Sequence, residues 1–183
     1  MIKYMNLIGI KARKASEYKV TTEVKNKVLN DYAKLIKNEK KFIINQNSKD
    51  INYARKKGLK ENLIKRLHLN ENKLNGIVNS ILKIVKLRDP IDSTLEKWKR
   101  PNGLNIKRVS IPIGVIGVIY ESRPNVTSDV ASLCFKSGNV VILKGGSEAI
   151  NSNKALAKLF RKALKKIKLM KTLFNLSIQN KGD

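Results

Sequence analysis

The sequence has 183 residues, a length typical of one domain or slightly more. Its 39 Lys and Arg residues against 14 Asp and Glu residues give a formal net charge of +25, and 42% apolar residues are enough for a packed core rather than a disordered chain. It has no apolar run of roughly 18 residues, no signal-peptide layout and only one cysteine, so we expect a cytoplasmic protein with no membrane partner and no internal disulfide.

The first ninety residues carry the three- and four-residue apolar spacing of amphipathic helices. We predict four helical segments: residues 5–15, a segment from about residue 21, residues 41–57 and residues 63–85. Thr22 is expected to cap the second helix, Gly58 offers the third a left-handed stop, and Pro90 closes the helical region.

The pattern changes after residue 90, where strands alternate with helices. Residues 97–109 alternate around an Asn102-Gly103 turn signal and predict a strand pair. Further on we predict a strand over 111–120 (IPIGVIGVIY) that is covered on both faces, and then a helix over 126–136. A buried strand over 139–144 (NVVILK) follows, then a helix opened by Gly145-Gly146-Ser147 and the start of a third strand over 172–177. This succession indicates an α/β fold with a parallel sheet.

The charge comes mainly from 31 lysines, and 20 asparagines and 21 isoleucines accompany them. All three are encoded by A/T-rich codons, so compositional bias accounts for them without a partner. The lysines are spread along the chain, only 5% of residues are aromatic, and only 8 are arginines, whereas nucleic-acid readers use aromatic stacking and bidentate Arg contacts. We therefore favour a lysine-rich solvated surface, and a basic patch that binds nucleic acid is the alternative.

One candidate ligand site is the turn that joins the second buried strand to a helix, formed by Lys144, Gly145, Gly146, Ser147 and Glu148. Open α/β sheets bind ligands at such turns, free N–H groups at the helix start attract anions, and glycines allow close approach of the backbone. Lys144 suits a nucleotide ribose or phosphate, and Glu148 suits ribose hydroxyls. An ordinary turn with Ser147 as helix cap is the alternative, and neither standard phosphate-loop motif is present.

A second candidate site is the loop over residues 120–127, which follows the first buried strand. Arg123 can bind an anion, and the Asn125 amide can donate to an oxygen that becomes negative during attack on an acyl carbon. The alternative is that an Asn or Thr of this loop only caps the next helix.

Residues 112–153, PIGVIGVIYESRPNVTSDVASLCFKSGNVVILKGGSEAINSN, resemble γ-glutamyl phosphate reductase (glutamate-5-semialdehyde dehydrogenase), the proline-biosynthetic branch of the aldehyde dehydrogenase superfamily. This similarity is long and without gaps. Looser similarity covers the helical start, residues 50–67 (DINYARKKGLKENLIKRL) and Leu-Arg-Asp-Pro at 87–90. It weakens after about residue 164, where the family usually has Gly-Leu-Pro and this chain has Lys-Leu-Met at 168–170.

The resemblance implies NADPH-dependent reduction of L-glutamyl 5-phosphate to glutamate 5-semialdehyde, with NADP(H) as cofactor, a small-molecule substrate and a homo-oligomer. It implies a helical section over 1–90 and a partial Rossmann-like NADP-binding domain over 91–183, of the aldehyde dehydrogenase type. By the resemblance, Lys144 and Glu148 fall on cofactor-ribose positions, Asn125 on the oxyanion-stabilising asparagine, and Arg123 helps to hold the acidic substrate.

The family's nucleophilic cysteine lies in a second domain that we expect this chain to lack, since family members are more than twice as long. We expect Cys134 to pack in the core and His68 to lie at a surface or half-buried helix position, with no metal site. The sequence therefore predicts a truncated reductase that is inactive alone, and a non-catalytic nucleotide-binding remnant is the alternative.

Overall fold

A computed structural model describes residues 2–121, 123–166 and 174–176 of the chain. The elements, in chain order, are α1 (Ile2–Ser16), α2 (Thr22–Asn38), α3 (Lys40–Lys56), α4 (Glu61–Leu67), α5 (Glu71–Lys86), β1 (Thr94–Lys99), β2 (Asn105–Val109), β3 (Val115–Tyr120), α6 (Pro124–Lys136), β4 (Val140–Gly145), a 3-10 turn (Ser147–Ala149), α7 (Ile150–Lys166) and β5 (Phe174–Leu176). The predicted α/β class, with a helical section followed by a parallel sheet, is confirmed.

Side chains at the helix ends account for two differences from the predicted helices. Thr21, not Thr22, caps α2, because its hydroxyl accepts a hydrogen bond of 3.5 Å from a backbone N–H in the first turn. The single helix predicted over 63–85 is two helices, since the Asn70 side chain accepts from a backbone N–H at 2.9 Å and starts α5 anew. Gly58, with a φ of 67°, follows α3 as predicted.

Three parallel strands form a sheet in the order β3-β4-β5, with α6 and α7 as the two connections. The prediction that the first strand is covered on both faces is wrong, because Ile119 of β3 is 80% exposed and its partner on β4, Lys144, is exposed too. Leu143 of the central strand β4 is fully buried, as predicted. The third strand predicted over 172–177 is confirmed at Phe174–Leu176, and its other residues lie outside the described ones.

Strands β1 and β2 form a separate antiparallel hairpin in which Trp98 pairs with Ile106. Gly103, with a φ of 85°, lies in the connection, which confirms the predicted turn. Nearly every residue of the two strands is exposed, so the hairpin contributes little to the core.

One hydrophobic core joins the helical section to the sheet. The fully buried Tyr32 of α2 packs edge-on against Phe160 of α7 at 4.9 Å between ring centroids, and Phe160 meets Phe135 of α6 at 5.8 Å. The Tyr32 hydroxyl is paired with the Ser128 hydroxyl at 2.6 Å, so its polar end is satisfied. Cys134 lies in the same core, as predicted, and burial raises the pKa of its thiol.

His68 is exposed, as predicted, but it lies at the C-terminal cap of α4 with extended backbone and not within a helix. Within residues 2–121, 123–166 and 174–176, no three His, Cys, Asp or Glu side chains are grouped so that they could hold a metal ion. The helices of the same part of the chain include none long and apolar enough to span a bilayer.

Asp89 anchors the segment that leads from α5 into the hairpin. Its carboxylate accepts hydrogen bonds from the Thr22 hydroxyl at 2.8 Å, the Lys25 ammonium at 2.8 Å and the Ile91 backbone N–H at 3.0 Å. Burial acts to raise the pKa of Asp89, but the bonds from Lys25, Ile91 and Thr22 outweigh it and hold the pKa below its ordinary value. The Lys25 side chain is only 3% exposed, so Asp89 neutralises a buried charge.

We predict that Asp89→Asn lowers the free energy of unfolding by about 2–3 kcal/mol at pH 7, because it leaves the Lys25 ammonium buried without its counter-charge. Since the folded-state pKa of Asp89 is lowered, this contribution is complete above the unfolded-state pKa of about 4 and disappears as the pH falls through the folded-state value. Urea denaturation at pH 7 and pH 3 measures it. Glu17→Gln, the same change at an exposed side chain, is the control, and equal losses for the two variants contradict the assignment.

Candidate functional site

The structure brings the two predicted site segments to one edge of the parallel sheet. In the β3–β4 register, Ile119 is paired with Lys144 and Tyr120 with Gly145. The loop that contains Arg123 therefore leaves β3 beside the point where the glycine turn leaves β4. Ligands of open α/β sheets bind at this carboxyl edge.

The charged and hydroxyl side chains of the turn after β4 differ in their exposure to solvent. Lys144 and Ser147 are exposed, whereas Glu148 is half-buried with its carboxylate against the Cα atom of Gly146. Gly146, not Ser147, occupies the cap position of the 3-10 turn, so the interpretation of Ser147 as a helix cap is wrong. A ligand that approaches this turn meets the Lys144 ammonium as its exposed cation.

Gly145 is required by space rather than by backbone conformation. A Cβ atom there would lie 3.0 Å from the ring and hydroxyl of Tyr120, and closer still to the side-chain nitrogen of Asn153. The turn is therefore packed tightly against both β3 and the first turn of α7.

The start of α7 does not offer the free N–H groups that we expected from the sequence. The backbone N–H groups of Asn151 and Ser152 donate to the Asp50 carboxylate at 3.0 Å and 2.8 Å, and Asp50 is only 1% exposed. The protein's own carboxylate thus occupies the position at which a helix start attracts an anion. An anionic ligand at this edge must use other donors, and Lys144 is the exposed cationic side chain of the turn.

The loop after β3 places Arg123 and Asn125 at the start of α6. Arg123 is exposed and occupies the cap position without a side-chain cap bond. The Asn125 amide donates to the Asp129 carboxylate at 3.0 Å, so this side chain is not a helix cap, and Thr127 bonds elsewhere. Burial raises the pKa of Asp129, while the bond from Asn125 acts in the opposite direction. The amide nitrogen of Asn125 carries a second hydrogen, which is the donor that an oxyanion needs.

A line of hydrogen bonds connects the two segments behind the edge. The hydroxyls of Tyr120 and Thr127 are paired, and Thr127 donates to the Asn153 side-chain oxygen at 3.0 Å. Burial raises the pKa of the Tyr120 hydroxyl, so it remains protonated at neutral pH. These bonds join β3, α6 and α7 and fix the spacing of the loop and the turn.

Sequence reasoning missed Asn47 and Asp50, which hold α7 from α3. The available signal was their position, since both lie on the same side of α3 as the buried apolar residues Ile43, Ile51 and Ala54. A polar residue within an apolar stripe indicates a buried hydrogen-bonding partner. The partner itself could not be identified, because it lies about one hundred residues further along the chain.

Curated proteins with similar sequences are γ-glutamyl phosphate reductases. The chain is 49% identical over 157 residues to that of Halothermothrix orenii and 44% identical over 162 residues to that of Persephonella marina. The matches cover 83% and 87% of this chain but only 38% and 36% of the two relatives. The chain thus spans little more than a third of their length. No protein-family model matches it.

The chain is also similar to solved structures of γ-glutamyl phosphate reductases, and it again covers less than half of each. The γ-glutamyl phosphate reductase of Thermotoga maritima superposes with a TM-score of 0.90 at 38% identity, covering 93% of this chain and 42% of that one. The enzyme of Saccharomyces cerevisiae gives 0.89 at 29% identity, covering 93% and 45%. A glyceraldehyde-3-phosphate dehydrogenase of Methanocaldococcus jannaschii, solved with NADP, gives 0.65 at 18% identity over 95% and 36%, which shows a shared fold.

We predict that Gly145→Ala lowers the free energy of unfolding by about 1–3 kcal/mol, because the added methyl group overlaps Tyr120 and Asn153. Gly76→Ala is the matched control: Gly76 lies within α5 with no atom near its missing Cβ, and alanine there should stabilise the chain by about 0.5–1 kcal/mol. Urea denaturation compares the two. A Gly145→Ala variant as stable as Gly76→Ala contradicts the tight packing of the turn.

Proposed function

We propose that this chain, a homologue of γ-glutamyl phosphate reductases over most of its length, forms the cofactor-binding part of such a reductase. The reaction is NADPH-dependent reduction of L-glutamyl 5-phosphate to glutamate 5-semialdehyde with release of phosphate. In this proposal residues 91–183 carry part of the NADP-binding domain, and residues 1–90 support it. The observation that carries the proposal is the sheet edge at which the Lys144 turn and the Arg123 loop leave neighbouring strands.

In this proposal the turn after β4 holds the ribose end of NADP(H) through one donor and one acceptor side chain. Lys144 is exposed and can donate to ribose hydroxyls or a phosphate, and the Glu148 carboxylate can accept from hydroxyls. The space beside Gly145 and Gly146 is filled by Tyr120, Asn153 and the Glu148 carboxylate, so this proposal places the ligand against the side chains of the turn. When bound, the cofactor supplies a hydride to the acyl carbon. Because Asp50 already occupies the start of α7, the charge of Lys144 becomes the main attraction for cofactor phosphate groups.

The loop after β3 supplies the groups for the substrate. Arg123 is exposed and can bind a carboxylate or phosphate of the acidic substrate. The Asn125 amide, oriented by its bond to Asp129, can donate its second hydrogen to the acyl oxygen as negative charge develops there.

Cys134 has a structural role in this proposal. It is the one cysteine in the sequence, it lies in the core, and its thiol pKa is raised by burial. A nucleophilic thiolate needs an accessible, electropositive site, which is the opposite environment. These 183 residues therefore contribute binding and oxyanion stabilisation, and no thiol chemistry of their own.

In this proposal the reaction takes place in the cytoplasm. The partners of the chain are a small-molecule substrate and a second copy of the chain. The exposed β1–β2 hairpin supports the second partner. A two-stranded ribbon is marginally stable in water by itself, and Trp98 and Leu104 are 41% and 56% exposed.

We predict that Lys144→Ala raises the dissociation constant for NADPH at least tenfold, because it removes a charged hydrogen-bond donor worth about 1.5–3 kcal/mol. Titration calorimetry of the purified chain at physiological ionic strength measures the change. The matched control is Lys83→Ala, which removes an exposed lysine from α5, far along the chain from the turn. Equal effects of the two variants would indicate non-specific attraction to the basic surface, and the proposal would then fail.

A further inference from the structure

A buried carboxylate on α3 binds four donors from the first turn of α7. One oxygen of Asp50 accepts from the backbone N–H of Asn151 at 3.0 Å and from its side-chain amide at 2.8 Å. The other oxygen accepts from the backbone N–H of Ser152 at 2.8 Å and from its hydroxyl at 2.6 Å. Charge-assisted bonds to a carboxylate with almost no solvent access are stronger than bonds between neutral groups. They fix the start of α7 relative to α3.

Asn47, one turn earlier in α3, extends the same network. Its amide nitrogen donates to the Ser152 hydroxyl at 3.0 Å and to the Leu67 carbonyl at 2.9 Å, and its oxygen accepts from the Leu69 N–H at 2.8 Å. The residues that begin α7 are thus tied both to α3 and to the connection between α4 and α5. Displacement of this turn would break several buried hydrogen bonds at once.

The next residue of α7 connects these hydrogen bonds to the turn after β4 (residues 144–148). The Asn153 side chain accepts from Thr127 at 3.0 Å, and its nitrogen packs against Gly145. Three consecutive residues, 151–153, therefore lie between the α3 carboxylate and the backbone of the turn. Only the 3-10 turn Ser147–Ala149 and Ile150 separate them from Gly146 in the chain.

We propose that Asp50 is a positioning residue for the cofactor turn: by holding residues 151–152, its carboxylate fixes the placement of residues 144–148. The proposal rests on the proposed function for the identity of the ligand. The chemistry requires an aspartate rather than an isosteric asparagine, because a carboxamide accepts through one oxygen only and would turn its own N–H groups towards the donors.

Asp50→Asn in the full chain tests this proposal through two independent measurements. The first is amide hydrogen exchange without ligand, in which the amides of residues 145–152 should exchange about tenfold or more faster than in the parent chain. The second is titration with NADPH under conditions where every variant is folded by circular dichroism, in which the dissociation constant should rise about tenfold.

The matched control is Asp89→Asn, which makes the same chemical change at a carboxylate that also supports the fold but contacts Thr22, Lys25 and Ile91 instead. A purely structural loss of stability would affect both variants alike. Positioning predicts that Asp50→Asn speeds the exchange of residues 145–152 more than that of the core amides of β4, which report global unfolding. Asp89→Asn should speed both sets alike and leave the NADPH affinity within about twofold of the parent.

The outcomes separate this proposal from the proposed function. If the parent binds NADPH and Asp50→Asn binds it as well as Asp89→Asn does, positioning by Asp50 is wrong and the proposed function stands. If the parent does not bind NADPH, the proposed function fails. The positioning role of Asp50 is still tested by hydrogen exchange, and unchanged exchange at residues 145–152 in Asp50→Asn overturns it. Should Asp50→Asn not fold, Ser152→Ala is the second variant: it removes the hydroxyl that donates to Asp50 and accepts from Asn47, and leaves both backbone donors in place. It should give the same changes at about threefold, and no change overturns the proposal.

Discussion

The hydrogen bonds between the Asp50 carboxylate and the start of α7 join the two parts of the molecule on which the candidate site depends. Asp50 belongs to the helical section, whereas Asn151 and Ser152 follow the second strand of the sheet. A buried carboxylate must find donors at this position, because leaving it unpaired would cost several kcal/mol. Helix α3 of the first ninety residues is therefore bonded directly to the segment that carries the candidate site.

This constraint also changes which groups at the edge can attract a ligand. A helix start that follows a glycine turn ordinarily attracts phosphate, but here the protein's own carboxylate satisfies its N–H groups. In the proposed function, recognition therefore depends on the side chains of the turn and of the neighbouring loop, chiefly Lys144 and Arg123. Not every cation of the chain can attract a ligand, since Lys25 and Lys136 are buried in hydrogen-bonded structural roles.

Local sequence predicted those features that depend on neighbouring residues. The Asn102-Gly103 turn, the left-handed Gly58 after α3 and the core position of Cys134 follow from residue type and periodicity. The exposure of Ile119 could not be predicted, because an apolar run does not reveal whether other elements cover both faces of its strand. The role of Asp50 was missed because its donors are 101 and 102 residues distant in the chain.

The central claim is that the sheet edge formed by the Lys144 turn and the Arg123 loop binds the nicotinamide cofactor. Mapping NADPH-induced changes in backbone amide chemical shifts at physiological ionic strength tests it most directly, since NADPH is an anion and this chain is strongly basic. The account predicts saturable changes concentrated at residues 144–148 and 123–125. Changes spread over the lysines of the helices and hairpin, or no saturable change at the turn, would contradict it.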